Sequence, residues 1–245
     1  MAGILRVGIG GWVFPPWRDS FYPPKLSQKQ ELAYASRQVT SIEINGSFYR
    51  TPSRDSFIAW RDATPEGFVF ALKGSRFITN RRVLAEAGPS IERFFASGVL
   101  ELGAKLGPIN WQFMPTKRFD PVDFAAFLAL LPHSVEGCAI RHAVELRHPS
   151  FEAPEAIALC RAHGVAIVRS DGVYPHIDAP AERFTYLRLL CATEENAFGY
   201  PEAALDALAT SLPALYGERE VFVYFINGFK PFAPRAAMKL IEKSQ

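Results

Sequence analysis

The sequence predicts an α/β fold, a single (β/α)8 TIM-type barrel that spans residues 1–245 as one domain. Eight short runs rich in β-branched and aromatic residues alternate with segments of helical periodicity. The length suits one barrel, and no linker or shift of composition divides the chain. An open doubly wound sheet is the competing architecture, but Gly8, Gly10 and Gly11 lack the spacing of its dinucleotide-binding fingerprint.

The predicted elements alternate along the whole chain. The strands are expected at residues 6–10, 41–45, 68–73, 107–113, 143–147, 165–171, 184–190 and 221–227. The helices are expected at residues 27–37, 53–62, 89–101, 120–131, 153–163, 201–216 and 233–243. Three of the helices follow residues suited to N-capping, Ser27, Ser53 and Asp120. Only the connection between strands 6 and 7, residues 172–183, lacks a helical pattern, so we expect it to be irregular.

Composition and charge narrow the functional classes. The chain carries 27 Lys and Arg against 25 Asp and Glu with no dense block of either sign, so nucleic acid is not an expected partner. No segment approaches the roughly 18 apolar residues of a membrane span, so no membrane partner is expected. The three cysteines form no C-x-x-C pair, which indicates a reducing, cytoplasmic location. The expected partner is a small polar or anionic molecule, and the oligomeric state stays open.

The strand SIEIN carries polar residues on one of its faces. Ile42 and Ile44 point to one side, whereas Glu43 and Asn45 point to the other. Polar side chains inside a barrel are expected only near its C-terminal mouth. Similar polar positions occur at the ends of the other strands, namely Lys73, Asn110, Gln112, Glu145, Arg147, Asp171, Arg188 and Asn227. Polar groups from seven strands are thus predicted to converge on one rim, as a functional site or, alternatively, as a salt-bridge network that closes the barrel.

The chain resembles the YecE-like family, catalogued as domain of unknown function 72, from about residue 5 to residue 241. The segments that carry the resemblance are GIGGWVFPPWRDSFYPP, SIEINGSFYRTPS, FALKGSRFIT, KLGPINWQFMP, VELRHPSF and VYFIN. The resemblance implies a TIM-type barrel and no established activity. The residues that match the family pattern are Gly11, Trp12, Trp17, Glu43, Asn45, Phe48, Tyr49, Lys73, Gln112, Glu145, Arg147, His148 and Asp171.

Four positions depart from the family pattern. Gly10 replaces a serine, Asn80 and Leu190 each replace a histidine, and Ile226 replaces an asparagine. The rim is therefore expected to be a variant of the family site. A partly degenerate site would make the protein a non-catalytic barrel that binds a ligand or a partner.

Glu43 and Glu145 are the predicted acid and base of an enzyme, a hydrolase, lyase or isomerase. Two carboxylates in different environments can divide these roles, and Lys73 on the strand after Glu43 could hold one of them ionised. Asp171 completes the predicted catalytic set. An ion pair of Glu145 with Arg147 or Lys73 would instead be purely structural. A Schiff-base role of Lys73 is a further alternative, which needs a lowered pKa.

The predicted substrate-binding residues surround the same rim. Cationic residues there favour an anionic molecule, for instance a phosphorylated one. The aromatic side chains of Trp12 and Tyr49 could stack on a sugar ring or base, or simply cap the barrel. The predicted set is Trp12, Asn45, Tyr49, Arg76, Gln112, Arg147, His148, Arg188 and Asn227.

A divalent metal is the alternative that involves a cofactor. His148, Glu43, Glu145 and Asp171 are ligand types that bind Mg, Mn or Zn, which would indicate a metal-assisted phosphodiesterase or nuclease. However, the histidines lack ligand spacing such as H-E-x-x-H, and His148 begins a loop that faces away from Arg147. The cofactor is therefore unknown, a metal is not favoured, and no residue is assigned as a metal ligand.

Overall fold

A computed structural model describes residues 3–172, 174, 175, 177, 183–216 and 219–245. Its central parallel sheet contains the strands β1 (Ile4–Gly10), β2 (Ser41–Ile44), β3 (Val69–Lys73), β4 (Leu106–Gln112), β5 (His142–Glu145), β6 (Ala166–Ile167 and Arg169–Ser170), β7 (Phe184–Leu189) and β8 (Glu220–Phe225). Each strand overlaps its predicted position, so the prediction of these eight strands is confirmed.

The strands pair in parallel in the order of the chain. β1 pairs with both β2 and β8, while the two pieces of β6 pair with β5 and with β7. β6 thus connects the two neighbouring strands β5 and β7, and the barrel is closed except where β6 is interrupted at Val168. The predicted (β/α)8 architecture is confirmed. Most of the connection predicted to be irregular, including residues 173, 176 and 178–182, lies outside the described residues.

Helices connect the strands on the outside of the sheet. They are α1 (Glu31–Ala35), α2 (Gly46–Tyr49), α3 (Arg54–Ala63), α4 (Arg76–Thr79), α5 (Gly88–Phe95), α6 (Pro121–Ala129), α7 (Pro154–Ala162), α8 (Glu202–Tyr216) and α9 (Ala233–Lys243). Ser53 caps α3 and Asp120 caps α6 through hydrogen bonds to backbone amides, as predicted. The single-turn helices α2 and α4 are not among the predicted elements, because four residues are too few to show a periodicity.

Two helices are shorter than predicted. The predicted helix at residues 27–37 forms the 3-10 turn Gln28–Gln30 after Ser27 and then only α1 over Glu31–Ala35. The pattern over residues 89–101 indicates a continuous helix, but α5 ends at Phe95. Gly98 adopts a φ of 103°, a left-handed conformation that a helix cannot continue through, and the chain proceeds as the 3-10 segment Val99–Lys105. Among the described residues, no helix is long and apolar enough to cross a membrane.

Alternation along the strands separates two apolar cores. Phe70 and Leu72 of β3 point outward and belong to the large core between the sheet and the helices. Val69 and Ala71 point into the barrel, as the sequence predicts. The other buried residues of the inner core are Ala143, Val168, Phe184, Tyr186, Phe222 and Tyr224. Inward positions beyond these apolar layers are therefore the ones that reach the C-terminal mouth.

Candidate functional site

A buried guanidinium, that of Arg188 near the end of β7, lies at the centre of the barrel mouth. Its Nε and Nη2 atoms donate to Oε2 and Oε1 of Glu43 at 3.0 and 2.9 Å. Its Nη1 atom donates to Oε2 of Glu145 at 2.6 Å. The three residues are 2%, 0% and 2% exposed, so the charges meet in the protein interior. Burial alone would lower the pKa of Arg188, but the charges of Glu145 and Glu43 raise it above its ordinary value.

Both carboxylates accept further hydrogen bonds. Tyr186 donates its hydroxyl to Oε2 of Glu43 at 2.6 Å. Arg147 donates from Nε and Nη2 to Oε1 of Glu145 at 2.9 and 2.7 Å, and Asn110 donates to Oε2 at 3.3 Å. Burial tends to raise the pKa of Glu145, but the charges of Arg188 and Arg147 and the hydrogen bonds lower it below its ordinary value. Glu145 is thus held as a carboxylate.

Gln112 of β4 belongs to the same network. Its Oε1 atom accepts hydrogen bonds from Nη2 of Arg147 at 2.7 Å and from Nη1 of Arg188 at 3.4 Å. One carbonyl oxygen therefore lies between the two guanidinium groups and orients both of them. The network joins β2, β4, β5 and β7, which brings together five predicted site residues and confirms that these inward positions converge.

Lys73, at the end of β3, differs from the other charged residues of the mouth. It is 7% exposed, and its Nζ atom lies 4.1 Å from the centre of the Phe48 ring. Within the described part of the chain, its ammonium forms no hydrogen bond and no ion pair. Burial and the nearby charge of Arg188 lower the pKa of Lys73 to about 8, although Glu43 and Glu145 act in the opposite direction. The expected pairing of Glu43 with Lys73 is not formed, because Arg188 occupies both carboxylate oxygens of Glu43.

The loop after β2 fixes the position of Phe48 over Lys73. The hydroxyl of Ser47 lies 2.9 Å from the carbonyl oxygen of Ile44 and 2.6 Å from that of Lys73. Ser47 is fully buried and thereby ties the first turn of α2 to the ends of β2 and β3. This contact explains the role of the S-F-Y segment two residues after the strand: Ser47 holds the turn, and the next side chain, Phe48, covers the lysine.

A cleft of about 530 Å³, here called the main cleft, opens above this network. Its described lining residues are Asn45, Phe48, Tyr49, Lys73, Gln112, Arg147, Tyr174, Arg188, Leu190, Cys191, Ile226, Asn227 and Lys230. Four of these residues are cationic, and none of the described lining residues is an Asp or Glu. Glu43 and Glu145 lie beneath the lining and offset Arg188 and Arg147. The charges of Lys73 and Lys230 are not offset in this way.

Lys230 is a site residue that the sequence reasoning missed. It follows β8, and its Nζ atom lies 4.8 Å from the ring centre of Phe14 and 5.5 Å from that of Trp17. Burial lowers the pKa of Lys230. Its position in the loop after the last barrel strand is a sequence feature that could have identified it, because such loops build the active sites of TIM barrels. Lys230 lies outside the strand, so the alternation of polar and apolar residues does not identify it.

A second cleft, of about 570 Å³, adjoins the main cleft. Trp12 and Trp60 line it and meet edge to face, with their ring centres 5.1 Å apart. Asn45 and Lys230 line both clefts, so the two share a wall. Trp12 therefore lines the second cleft, whereas Lys73 lines the main cleft.

Five predicted site residues line neither cleft: Glu43 and Glu145 lie beneath the lining of the main cleft, and Arg76, His148 and Asp171 lie away from it. Arg76 is exposed, and its guanidinium carbon lies 6.0 Å from the ring centre of Tyr49. His148 accepts a hydrogen bond from the Ser150 amide at Nδ1 and so caps the turn after β5. Asp171 accepts hydrogen bonds from the Leu190 amide at 2.5 Å and the Tyr200 hydroxyl at 2.8 Å, which fix the loop after β7. The geometry thus gives His148 and Asp171 local structural contacts.

Three further predicted residues and two of the departures from the family pattern also lie at the main cleft. Asn45, Tyr49 and Asn227 line the main cleft, and so do Leu190 and Ile226, which place apolar groups there. In the described ranges, no group of three or more His, Cys, Asp or Glu side chains is close enough to hold a metal ion. The lining is therefore basic, amide and apolar in character.

Comparisons with known proteins agree with this fold. A family model described as "Protein of unknown function DUF72" matches residues 6–245. The UPF0759 protein YecE of Escherichia coli K12 is 25% identical over 151 residues, which cover 60% of this chain and 50% of that protein. This chain thus spans about half the length of the curated relatives it matches. The resemblance found in the sequence is confirmed.

Solved structures extend the comparison. A DUF72 family protein from Thermotoga maritima MSB8 superposes with a TM-score of 0.77 at 24% identity, covering 98% of both chains. A D-psicose 3-epimerase from Clostridium cellulolyticum H10 superposes with a TM-score of 0.57 at 10% identity, covering 98% of this chain and 95% of that one. The fold is therefore shared with an enzyme of unrelated sequence, which indicates the architecture alone.

Replacing Arg188 with Met should destabilise the protein because it leaves two buried carboxylates without their central cation. We expect the free energy of unfolding at pH 7, measured by urea denaturation, to fall by about 3–5 kcal/mol. The control Arg93→Met removes an exposed arginine and should change it by less than about 0.5 kcal/mol.

The loss of unfolding free energy in Arg188→Met should also depend on pH. In the native protein the lowered pKa of Glu145 stabilises the fold above the unfolded value of about 4.3, and this stabilisation disappears only as pH falls through the lower, folded value. In the variant the charge of Arg188 no longer lowers the pKa of Glu145 while burial still raises it, so we expect this pKa to rise above its native value and the loss of stability to grow as pH rises through it. The variant should therefore lose more at pH 7 than at pH 5. An equal loss at both pH values would contradict the buried ion-pair description.

Proposed function

This chain belongs to the DUF72 family of proteins of unknown function, and we propose that its barrel mouth binds a small anionic molecule and performs acid/base chemistry on it. The observation that carries the proposal is Lys73. It is a nearly buried amine that lines a cleft, and no described residue offers it an anionic partner. A ligand carboxylate or phosphate would supply the missing negative charge.

Charge balance supports an anion in particular. Arg147 and Arg188 are already engaged by Glu145 and Glu43, so the two guanidinium groups are largely neutralised. Lys73 and Lys230 remain as two positive charges facing the main cleft. Because opposite charges attract more strongly where water is partly excluded, an anion is favoured there over a neutral molecule.

The acid/base role is assigned first to Lys73. Its pKa of about 8 is close to physiological pH, which suits a group that must both accept and release a proton. The sequence predicts Glu43 and Glu145 for this role. In the proposed mechanism they hold Arg188 and form the charged floor of the cleft, while Asp171 positions the loop after β7.

Binding without catalysis is the second candidate function, and the lining favours it at two positions. Leu190 and Ile226 place aliphatic side chains in the lining at the positions where the family resemblance implies a histidine and an asparagine. A barrel of this kind would still bind an anion through Lys73 and Lys230. Binding and proton transfer must therefore be measured separately.

Sulfate binding should weaken as pH rises through the pKa of Lys73. Sulfate is a suitable probe because its charge stays constant between pH 7 and pH 9. The ammonium form of Lys73 attracts it, and a pKa of about 8 leaves about one tenth as much ammonium at pH 9 as at pH 7, so the affinity measured by calorimetry should fall about tenfold. In Lys73→Arg the charge at this position persists, so the affinity should fall much less, and any remaining fall reports the titration of Lys230, whose pKa burial also lowers.

Matched substitutions locate the site. Lys73→Met should remove most sulfate binding, whereas Lys29→Met, at an exposed lysine that lines neither cleft, should leave it unchanged. Equal binding by both variants would show that Lys73 is not an anion site and would overturn the proposal.

Proton transfer should appear as hydrogen exchange with solvent. We expect the protein in D₂O to place deuterium on carbon next to the carbonyl of a small anionic substrate, detected by mass spectrometry of a panel of carboxylated and phosphorylated carbonyl compounds. Lys73→Met should abolish this incorporation because it removes the proton carrier. Sulfate binding that depends on Lys73, together with no incorporation for any compound, would favour the non-catalytic binding function.

A further inference from the structure

The amine of Lys73 has the surroundings of a nucleophile as well as those of a cation. A lysine held by a carboxylate keeps its proton and has no free electron pair, whereas Lys73 has no such partner among the described residues. It is more than nine-tenths buried, yet it lines a cleft of about 530 Å³. A small molecule in that cleft can therefore reach an amine that bulk water scarcely touches.

The surroundings of Lys73 favour its neutral form. Burial and the nearby charge of Arg188 lower its pKa. With a pKa of about 8, about one tenth of the amine is neutral at pH 7, which is hundreds of times more than for an ordinary lysine. Desolvation and a nearby cation are the two means by which proteins activate lysine as a nucleophile.

We propose that the substrate is an aldehyde or ketone that bears a carboxylate or phosphate, and that Lys73 forms an imine with its carbonyl carbon. The proposal rests on the proposed function, because it assigns a substrate class and a covalent step to the same cleft. Lys230 lines the cleft with Lys73 and is the cation that holds the anionic group. Leu190 and Ile226 contact the carbon skeleton.

The step needs no reactant other than a proton from solvent. The electron pair of Nζ forms a bond to the carbonyl carbon as the C=O π bond opens, and one proton moves from Nζ to the oxygen to give a neutral carbinolamine. The hydroxyl then takes a proton from solvent, the C–O bond breaks with loss of water, and the nitrogen electron pair forms the C=N bond of a protonated imine. This cation lies where the Lys73 ammonium lies, over the face of Phe48, which stabilises a positive charge. It also draws electrons from the adjacent carbon, whose proton becomes easier to remove.

Reductive trapping tests the imine directly. Glyoxylate, an aldehyde that carries a carboxylate, is the probe, and sodium cyanoborohydride converts any imine into a stable secondary amine that peptide mapping locates. We expect Lys73 to be labelled at least about tenfold faster than the exposed Lys29 at pH 7, because its neutral fraction is hundreds of times larger and its lower basicity offsets only part of that gain. Sulfate should protect Lys73 and leave the labelling of Lys29 unchanged.

Two controls separate the anion site from the amine. Acetaldehyde lacks the carboxylate, so it should label Lys73 more slowly than glyoxylate does. Lys230→Met should slow labelling of Lys73 by glyoxylate and leave labelling by acetaldehyde unchanged, which a merely structural effect on the cleft would not do. Equal acceleration of Lys73 by both aldehydes would overturn the assignment of an anionic substrate.

The failure of this inference can be told apart from failure of the proposed function. Lys73 labelled no faster than Lys29, while sulfate binding still depends on Lys73, would overturn the imine and leave the anion site intact. Sulfate binding that is unaffected by Lys73→Met would overturn the proposed function itself.

Discussion

The ion pair that Arg188 forms with both Glu43 and Glu145 determines the chemistry of the barrel mouth. Its guanidinium uses Nε and Nη2 on one carboxylate and Nη1 on the other, with distances between 2.6 and 3.0 Å. Because these residues lie on β2, β5 and β7, the contact joins distant sides of the barrel. It also occupies the carboxylates that would otherwise have paired with Lys73. Among the described residues, Lys73 is thus left without a carboxylate partner because Arg188 occupies Glu43 and Glu145.

Stability alone does not explain why such a network is buried. A buried ion pair commonly contributes little net stability, because desolvation of the charges offsets their attraction. Fixed charges at the base of a cleft, however, act on a ligand without having to reorganise. In this protein the network neutralises two arginines, whereas Lys73 and Lys230 keep their charges above it. This charge arrangement supports the proposal that the mouth binds an anion.

The sequence predicts the positions of the site residues better than their partners. Alternation along each strand identifies Glu43, Gln112, Glu145 and Arg188 as inward residues, and the structure brings them together. The pairing of Glu43 with Arg188 rather than Lys73 depends on strand register and side-chain reach across the barrel, between residues 145 positions apart in the chain. No local pattern carries that information.

The contacts of loop side chains are also not predicted by the sequence pattern. His148 and Asp171 have suitable chemistry and nearly suitable positions, yet backbone amides of the adjacent turn and loop take up their side chains. Lys230 has no strand pattern and still reaches the mouth, because the chain after β8 folds back over Phe14 and Trp17. The direction in which a loop side chain points is set by tertiary contacts, which periodicity does not describe.

The state of the Lys73 amine is the most direct measure of whether the mouth holds an unpaired cation. Carbon-13 NMR of the lysine Cε signals, followed from pH 6 to pH 12 and assigned by loss of one signal in Lys73→Arg, reports its pKa without any ligand. The structure predicts a titration near pH 8, well below that of an ordinary lysine. A Lys73 signal that titrates at about 10.4 or above, as an exposed or carboxylate-paired lysine does, would contradict it.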